Sequence, residues 1–188
     1  MRTAGLVLAA GAGRRFGMAK ALVPYRNRLL VENAAETLRN AGAERSLVVL
    51  GARAEEVLAA AEELPETVVN PDWASGMGSS LRAGLTFLSA DESLGAVVVL
   101  LVDMPGVTTE AVRRVAAHAA PDALVMGGYQ GRRGHPVLLG REHWAGAAAS
   151  ATGDRGARDY LRAHEVLVIE VGDVADDTDL DRPEDLDA

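Results

Sequence analysis

Apolar residues run from position 4 to position 9 and stop at Gly11 and Gly13. An unbroken apolar run of that length predicts a β-strand buried on both faces of a parallel sheet. The same punctuation recurs along the chain. Residues 31–40 carry helical spacing that ends at Gly42, residues 46–50 form a second strand, and residues 54–63 a second helix closed by Pro65. Residues 67–70 make a short third strand, residues 78–88 a helix behind the loop NPDWASGMGSS, and the wholly apolar residues 96–102 a central strand. Strands alternating with crossovers of helical length predict a three-layer α/β/α, Rossmann-like fold with a mostly parallel sheet. Ligands then bind at the carboxyl ends of the strands, in the loops after residues 9, 50, 70 and 102.

The second half is less regular. Residues 109–119 are predicted to be helical and residues 123–126 extended, and GGYQGRRGHPVLL reads as a glycine-rich hairpin that returns to the sheet. The alanine run at 145–151 is compatible with a helix. Residues 157–163 form a helix, 166–171 a last strand, and the acidic segment DVADDTDLDRPEDLDA ends with a short helix starting at Pro183. There is no internal repeat, and 188 residues of which 48% are hydrophobic suffice for one core, so residues 1–188 are expected to form a single domain.

A net charge of −8 argues against a broad nucleic-acid surface. The absence of cysteine removes disulfides, thiolate metal sites and cysteine nucleophiles, and fits a reducing cytoplasm. The short apolar stretch near the N-terminus leads straight into glycines and arginines, so the expectation is a cytoplasmic protein with neither nucleic-acid nor membrane partners.

Chemistry concentrates first in LAAGAGRRFGMAK, residues 8–20. Glycines at 11, 13 and 17 allow a tight turn that brings backbone N–H groups to an anion, while Arg14, Arg15 and Lys20 supply donors for phosphate oxygens. A dinucleotide fingerprint requires GxGxxG, and Phe16 stands where its third glycine belongs; no acidic residue closes the strand at Leu50. A Walker A loop requires GxxxxGK followed by Ser or Thr, and Lys20 follows Ala19. The loop therefore reads as a triphosphate cradle of another type, the alternative being a tight strand-to-helix turn with solvated basic residues.

Asp103 follows the apolar strand directly, where a magnesium ion with oxygen ligands would balance it, or where it could cap the helix beginning near Thr108. A second metal ligand is sought in the acidic tail, most of whose carboxylates are expected to be solvated. Trp73 either stacks on a ligand or packs in its loop. His118, His143 and His164 lack metal-ligand spacing and are expected to be surface or packing residues.

The glycine loop resembles the signature of the MobA-like nucleotidyltransferase family, in particular its molybdenum-cofactor cytidylyltransferase (MocA-like) branch. The resemblance continues through NPDWASGMGSSLRAGL, LVDMPGVT, GHPVLL, GDRGAR and DLDRPEDL in the family's order. It implies nucleotide binding by Leu8, Ala9, Ala10, Gly11, Gly13 and Gly17, and by Gly76, Ser79 and Ser80. It further implies catalytic roles for Arg15, Lys20 and Asp103, and magnesium ligation by Asp103 with Asp181 or Asp179, Asp181 being preferred. His135, Asp154 and Arg158 are implied to bind the acceptor, with structural roles as the alternative: a loop histidine, a helix cap and a surface arginine. Ala10 gives LAAG, where guanylyl members usually show LAGG, and so favours CTP. Arg182 stands where threonine is usual, and Gly78 replaces a serine. The implied activity is transfer of CMP from CTP to a phosphorylated acceptor such as molybdopterin, with transient contact with a molybdoenzyme or its chaperone. Members described as nicotine-blue-type oxidoreductases form a rival reading, since DMPGVT, GREHW and GDRGARDYL are similar to that group.

Overall fold

The computed structural model describes residues 1–187; Ala188 and the side chain of Asp187 lie outside the described residues. A seven-stranded sheet is built from β1 (Arg2–Ala9), β4 (Arg45–Leu50), β5 (Glu66–Val69), β6 (Leu94–Leu101), β7 (Leu124–Tyr129), β8 (Arg132–Gly140) and β9 (Leu167–Glu170). A small antiparallel ribbon, β2 (Pro24–Tyr25) and β3 (Arg28–Leu29), stands apart from it. In space the large sheet runs β5-β4-β1-β6-β8-β7-β9. All neighbours are parallel except β8, which lies antiparallel to both β6 and β7. Its direction is set by the hairpin, whose two-residue turn puts Gln130 at φ 51° and Gly131 at φ 87°, the left-handed pair that matches strand twist.

Alternate residues of β1 explain why the run is unbroken. Val7 and Ala9 join the core under α1 (Leu30–Asn40) and α4 (Thr109–Ala116). Ala4, Leu6 and Leu8 join the opposite core under α3 (Met77–Ser89) and α5 (Arg141–Ser150). β6 does the same with Val98 and Leu100 against Val97 and Val99. At about 1.5–3 kcal/mol per buried aliphatic side chain, these two strands fix the three layers.

Two helices end earlier than periodicity predicts. α2 (Ala54–Ala60) stops short of residue 63 because the Glu62 and Glu63 N–H groups donate to Glu32 Oε1 at 2.8 and 2.9 Å. Glu32 also accepts from Leu29 N at 2.9 Å. Burial alone would raise its pKa; these three backbone donors and Arg28 hold it below the usual carboxylate value. α4 gives way at Ala116 to a tightened turn in which His118 and Ala119 donate to carbonyls three residues back. The last helix, α6 (Arg158–Arg162), falls inside its predicted range.

No carboxylate of the acidic tail is buried among the described residues, as expected, and a short helix starts at Pro183, yet the tail's backbone is tied down. Val171 N donates to Gly128 O at 2.9 Å, Asp176 N to Gly106 O at 3.0 Å and Leu180 N to Asp103 O at 2.9 Å. The tail is a strap laid across the loop after β6. Leu180 is 6% exposed and packs with Phe16, Val23 and Leu30, which ties the strap to the glycine loop. No helix is long and apolar enough to cross a membrane among the described residues.

Candidate active site

Residues 8–20 leave β1 at the carboxyl edge of the sheet. Gly13, at φ 61°, sits in the left-handed region, and a Cβ there would lie 1.9 Å from the Met18 carbonyl oxygen. Its carbonyl accepts from Gly17 N at 2.8 Å, closing the turn, so the fold itself requires glycine at 13. Gly11 differs: a Cβ there would meet nothing within 4 Å. Among the described residues, none of the backbone N–H groups of residues 11–16 donates to another protein group. These free donors around a turn form a concavity suited to an anion. Phe16 anchors the loop in the small cluster beneath it.

Arg14 and Arg15 are exposed, whereas Lys20 turns inward, its side chain only 15% exposed. Lys20 Nζ donates to Asp103 Oδ2 at 2.8 Å and to Asp181 Oδ1 at 3.2 Å, and Arg15 reaches Asp181 Oδ2 at 3.5 Å. Burial is the largest single influence on Lys20 and lowers its pKa, but the two carboxylates together outweigh it and raise the value. The lysine is therefore a fixed cation. Asp103 does not cap α4, because Thr108 Oγ1 takes that role by accepting from Ala111 N at 3.2 Å. Asp179 is pushed above the usual carboxylate value by burial and by the nearby charges of Asp103 and Asp181. Three carboxylates thus gather around one lysine, although no group of three or more histidine, aspartate or glutamate side chains converges at metal-binding distance among the described residues. Carboxylate oxygens brought this close together fit a hard divalent cation that takes its remaining ligands from phosphate and water.

The NPDWASGMGSS loop leads into α3 and is braced from within. Ser79 and Ser80 are buried, and both hydroxyls accept from Asn70 Nδ2, at 2.8 and 3.0 Å; Ser79 Oγ also reaches the carbonyls of Asp72 and Gly76. These hydroxyls are engaged in holding the loop. Gly76, at φ 114°, lies against the turn at residues 153–154, where a Cβ would stand 2.4 Å from the Gly153 carbonyl carbon. Trp73 packs on the core, beside Gly51. The Ala10 methyl also packs toward Gly51, and its carbonyl accepts from Ala52 N at 2.9 Å.

Beside the acid cluster opens a cavity of about 740 Å³ between α3, β8 and α6. Leu8, His135, Arg158 and Asp179 line it; Asp154 does not, lying instead against Gly76. The bond between His135 and Pro136 is cis. Burial lowers the His135 pKa to about 4, with Arg158 acting in the same direction and Asp103 and Asp177 opposing, so the imidazole is neutral at pH 7. The His135 carbonyl accepts from Tyr129 Oη at 2.6 Å. Arg132, Arg133, Arg155 and Arg162 also reach the cavity, as does Asp177, which holds Arg132 through two bonds of 3.0 and 3.2 Å. The repeated arginines of QGRRGH and GDRGARDYLR were the available signal for this rim. Away from the cavity, His143 bonds to Tyr160 Oη and Asp122 O, and His164 bonds to Tyr160 O, as packing residues do.

Comparison with known proteins places this arrangement. Residues 5–167 match the MobA-like NTP transferase domain. A nicotine blue oxidoreductase of Paenarthrobacter nicotinovorans is 41% identical, over 97% of this chain and 91% of that protein. A "Probable molybdenum cofactor guanylyltransferase" of Opitutus terrae is 33% identical over 55% of this chain and 49% of its own length. The crystal structure of Rv0371c from Mycobacterium tuberculosis superimposes with a TM-score of 0.84 at 27% identity, over 98% of this chain and 95% of that one; the same protein has been solved in complex with manganese. By sequence along most of its length and by fold, the chain belongs to the MobA-like NTP transferase domain family and is an enzyme of the nucleotidyltransferase class.

Proposed function

We propose that the enzyme transfers CMP from CTP to a phosphate-bearing acceptor, with molybdopterin the candidate the family relationship suggests, and releases pyrophosphate. The observation that carries this reading is Lys20 held between Asp103 and Asp181 at the edge of a loop with free N–H donors. The loop backbone and Arg15 bind the triphosphate, and Lys20 turns from the carboxylates to the phosphates. Asp103 and Asp181, with Asp179 beside them, would hold a divalent cation, taken to be magnesium; the manganese complex of Rv0371c supports a metal of this charge. When bound, the ion supplies Lewis-acid neutralisation of charge on the phosphates.

An oxygen of the acceptor phosphate attacks the α-phosphorus in line, the bond to the β-phosphate breaks, and pyrophosphate leaves. That oxygen is already anionic, so no side chain is needed as a base, and the neutral His135 orients rather than accepts a proton. Preference for CTP rests on the LAAG resemblance alone, since the Ala10 methyl packs inward. Incubation with each NTP, Mg²⁺ and molybdopterin, followed by pyrophosphate measurement, tests the reading; release with CTP supports it, and no release with any NTP removes it.

A second reading follows from the 41% identity to the nicotine blue oxidoreductase and from the apolar walls of the cavity. Oxidation of NADPH without nucleotide consumption or metal dependence selects it, although no nicotinamide fingerprint is present in the sequence.

A further inference from the structure

Of the 19 lysine and arginine residues in the chain, Lys20 is the only lysine. Its ammonium lies between two carboxylates of the centre, 2.8 Å from Asp103 Oδ2 and 3.2 Å from Asp181 Oδ1, on a side chain that is 15% exposed. Among the described residues it is the sole ion-pair partner of Asp103. Asp179 stands close enough to feel the charge of both aspartates. Arg15, the other basic residue that reaches Asp181, does so at 3.5 Å with a side chain 79% exposed, where solvent screens it. The choice of lysine at this position has a physical meaning. A guanidinium grips a carboxylate through a planar fork, whereas an ammonium is a compact charge on a flexible stem that can swing between neighbouring anions.

We propose that Lys20 is an exchangeable internal cation, which occupies the carboxylates until a triphosphate draws its ammonium away, so that the centre accepts a divalent cation only together with the nucleotide's phosphates. This rests on the reading of Asp103 and Asp181 as cation ligands. The oxygens that would ligate the ion are the ones that accept from Lys20 Nζ, so the two cations exclude each other there. The spacing agrees, since no three of these acids converge at metal-binding distance among the described residues; the oxygens are arranged about N–H donors. Departure of the ammonium alone would leave three neighbouring carboxylates without a close counter-charge, and while it stays its like charge repels a divalent cation. Each half-step is unfavourable, but the exchange as a whole keeps every charge partnered: phosphate oxygens receive the ammonium as the carboxylates receive the ion. The free N–H groups of residues 11–16 put that phosphate on the segment that leads to Lys20. By linkage, each of the two ligands then tightens the binding of the other.

A chain with one lysine can be followed through that residue. Protein carrying ¹³C at the lysine Cε gives a single lysine signal by nuclear magnetic resonance. That signal is expected to hold its position when Mg²⁺ is added alone and to move when tripolyphosphate is added in the presence of EDTA. Movement with Mg²⁺ alone, or none with tripolyphosphate, overturns the proposal, and because this arm uses the unaltered protein it decides the matter even where a variant folds poorly. The second arm is Mn²⁺ binding to nucleotide-free protein, read by electron paramagnetic resonance. Lys20→Met is expected to bind Mn²⁺ at least about tenfold more tightly than the wild type, and Arg15→Gln to differ from it by less than about twofold. Asp103→Asn with Asp181→Asn, placed in the Lys20→Met background, is expected to abolish the binding. Equal Mn²⁺ affinity in the wild type and Lys20→Met, lost with the two asparagines, leaves the cation site standing and overturns the exchange. No Mn²⁺ binding by folded Lys20→Met, or binding that survives both asparagines, removes the cation site on which the proposal rests.

Discussion

The glycine loop and the arginine-rimmed cavity solve recognition in opposite ways. The loop is one contiguous segment that offers backbone N–H groups, so it suits any phosphate chain and depends on conformation more than on side chains. The cavity is assembled from α3, β6, β8, α6 and the tail strap, and depends almost wholly on side chains. A segment of the first kind cannot vary without losing its turn. A surface of the second kind changes its ligand one residue at a time, which is how one fold serves relatives named for different chemistries.

The largest test of that contrast lies where the two regions meet. Asp103→Ala is expected to reduce pyrophosphate release on the order of a thousandfold while the far-ultraviolet circular dichroism is retained; near-normal turnover would remove Asp103 from the chemistry. Within the loop, Gly13→Ala forces a Cβ onto the Met18 carbonyl at positive φ, and its denaturant midpoint is expected to report about 2 kcal/mol or more of lost stability. Gly11→Ala has open space, so stability is expected to stay within about 0.5 kcal/mol while CTP affinity, read by calorimetry, falls about tenfold. Equal stability losses at the two glycines would erase the distinction between a fold glycine and a ligand glycine.

The cavity floor provides a pH test. The folded state keeps His135 neutral to about pH 4, against an ordinary value of 6.5, so the unfolded chain binds the extra proton between those limits. The stability contribution is therefore complete above about pH 6.5 and is lost as pH falls toward about 4, on the order of 2–3 kcal/mol. The difference in unfolding free energy between the wild type and His135→Gln, measured at pH 7.5 and at pH 5, is expected to shrink at the lower pH. The smallest effect concerns Ser79. Ser79→Ala is expected to cost about 1 kcal/mol of stability and to change CTP affinity by less than about twofold, because its hydroxyl serves Asn70 and two carbonyls; a large change in affinity at unchanged stability would return it to the base site.

What was legible in the sequence divides along the same line. The unbroken runs at β1 and β6 announced strands buried on both faces, and the spacing of glycines 11, 13 and 17 announced the loop, because both signals are local. The hairpin of β7 and β8 was likewise legible from its glycines. Glu32 was not, since its partners lie 30 residues away at Glu62 and Glu63, and those bonds also set where α2 ends. Nor were the serines' engagement by Asn70 or the arginine rim, which depend on chain segments meeting in space. The tail's path was hidden for a related reason: its acids are solvated as they look, but the docking of Leu180 on Phe16 depends on two ends of the chain meeting.

That docking makes the centre a seal on the whole molecule. Lys20 and Asp181 are 161 positions apart in the chain, so their ion pair exists only when the first loop and the strap are both seated. A chain that has folded its parallel half but not yet laid down the strap has a nucleotide loop without the paired acid. The centre proposed for nucleotide chemistry is therefore complete only when segments from the two ends of the sequence are both in place.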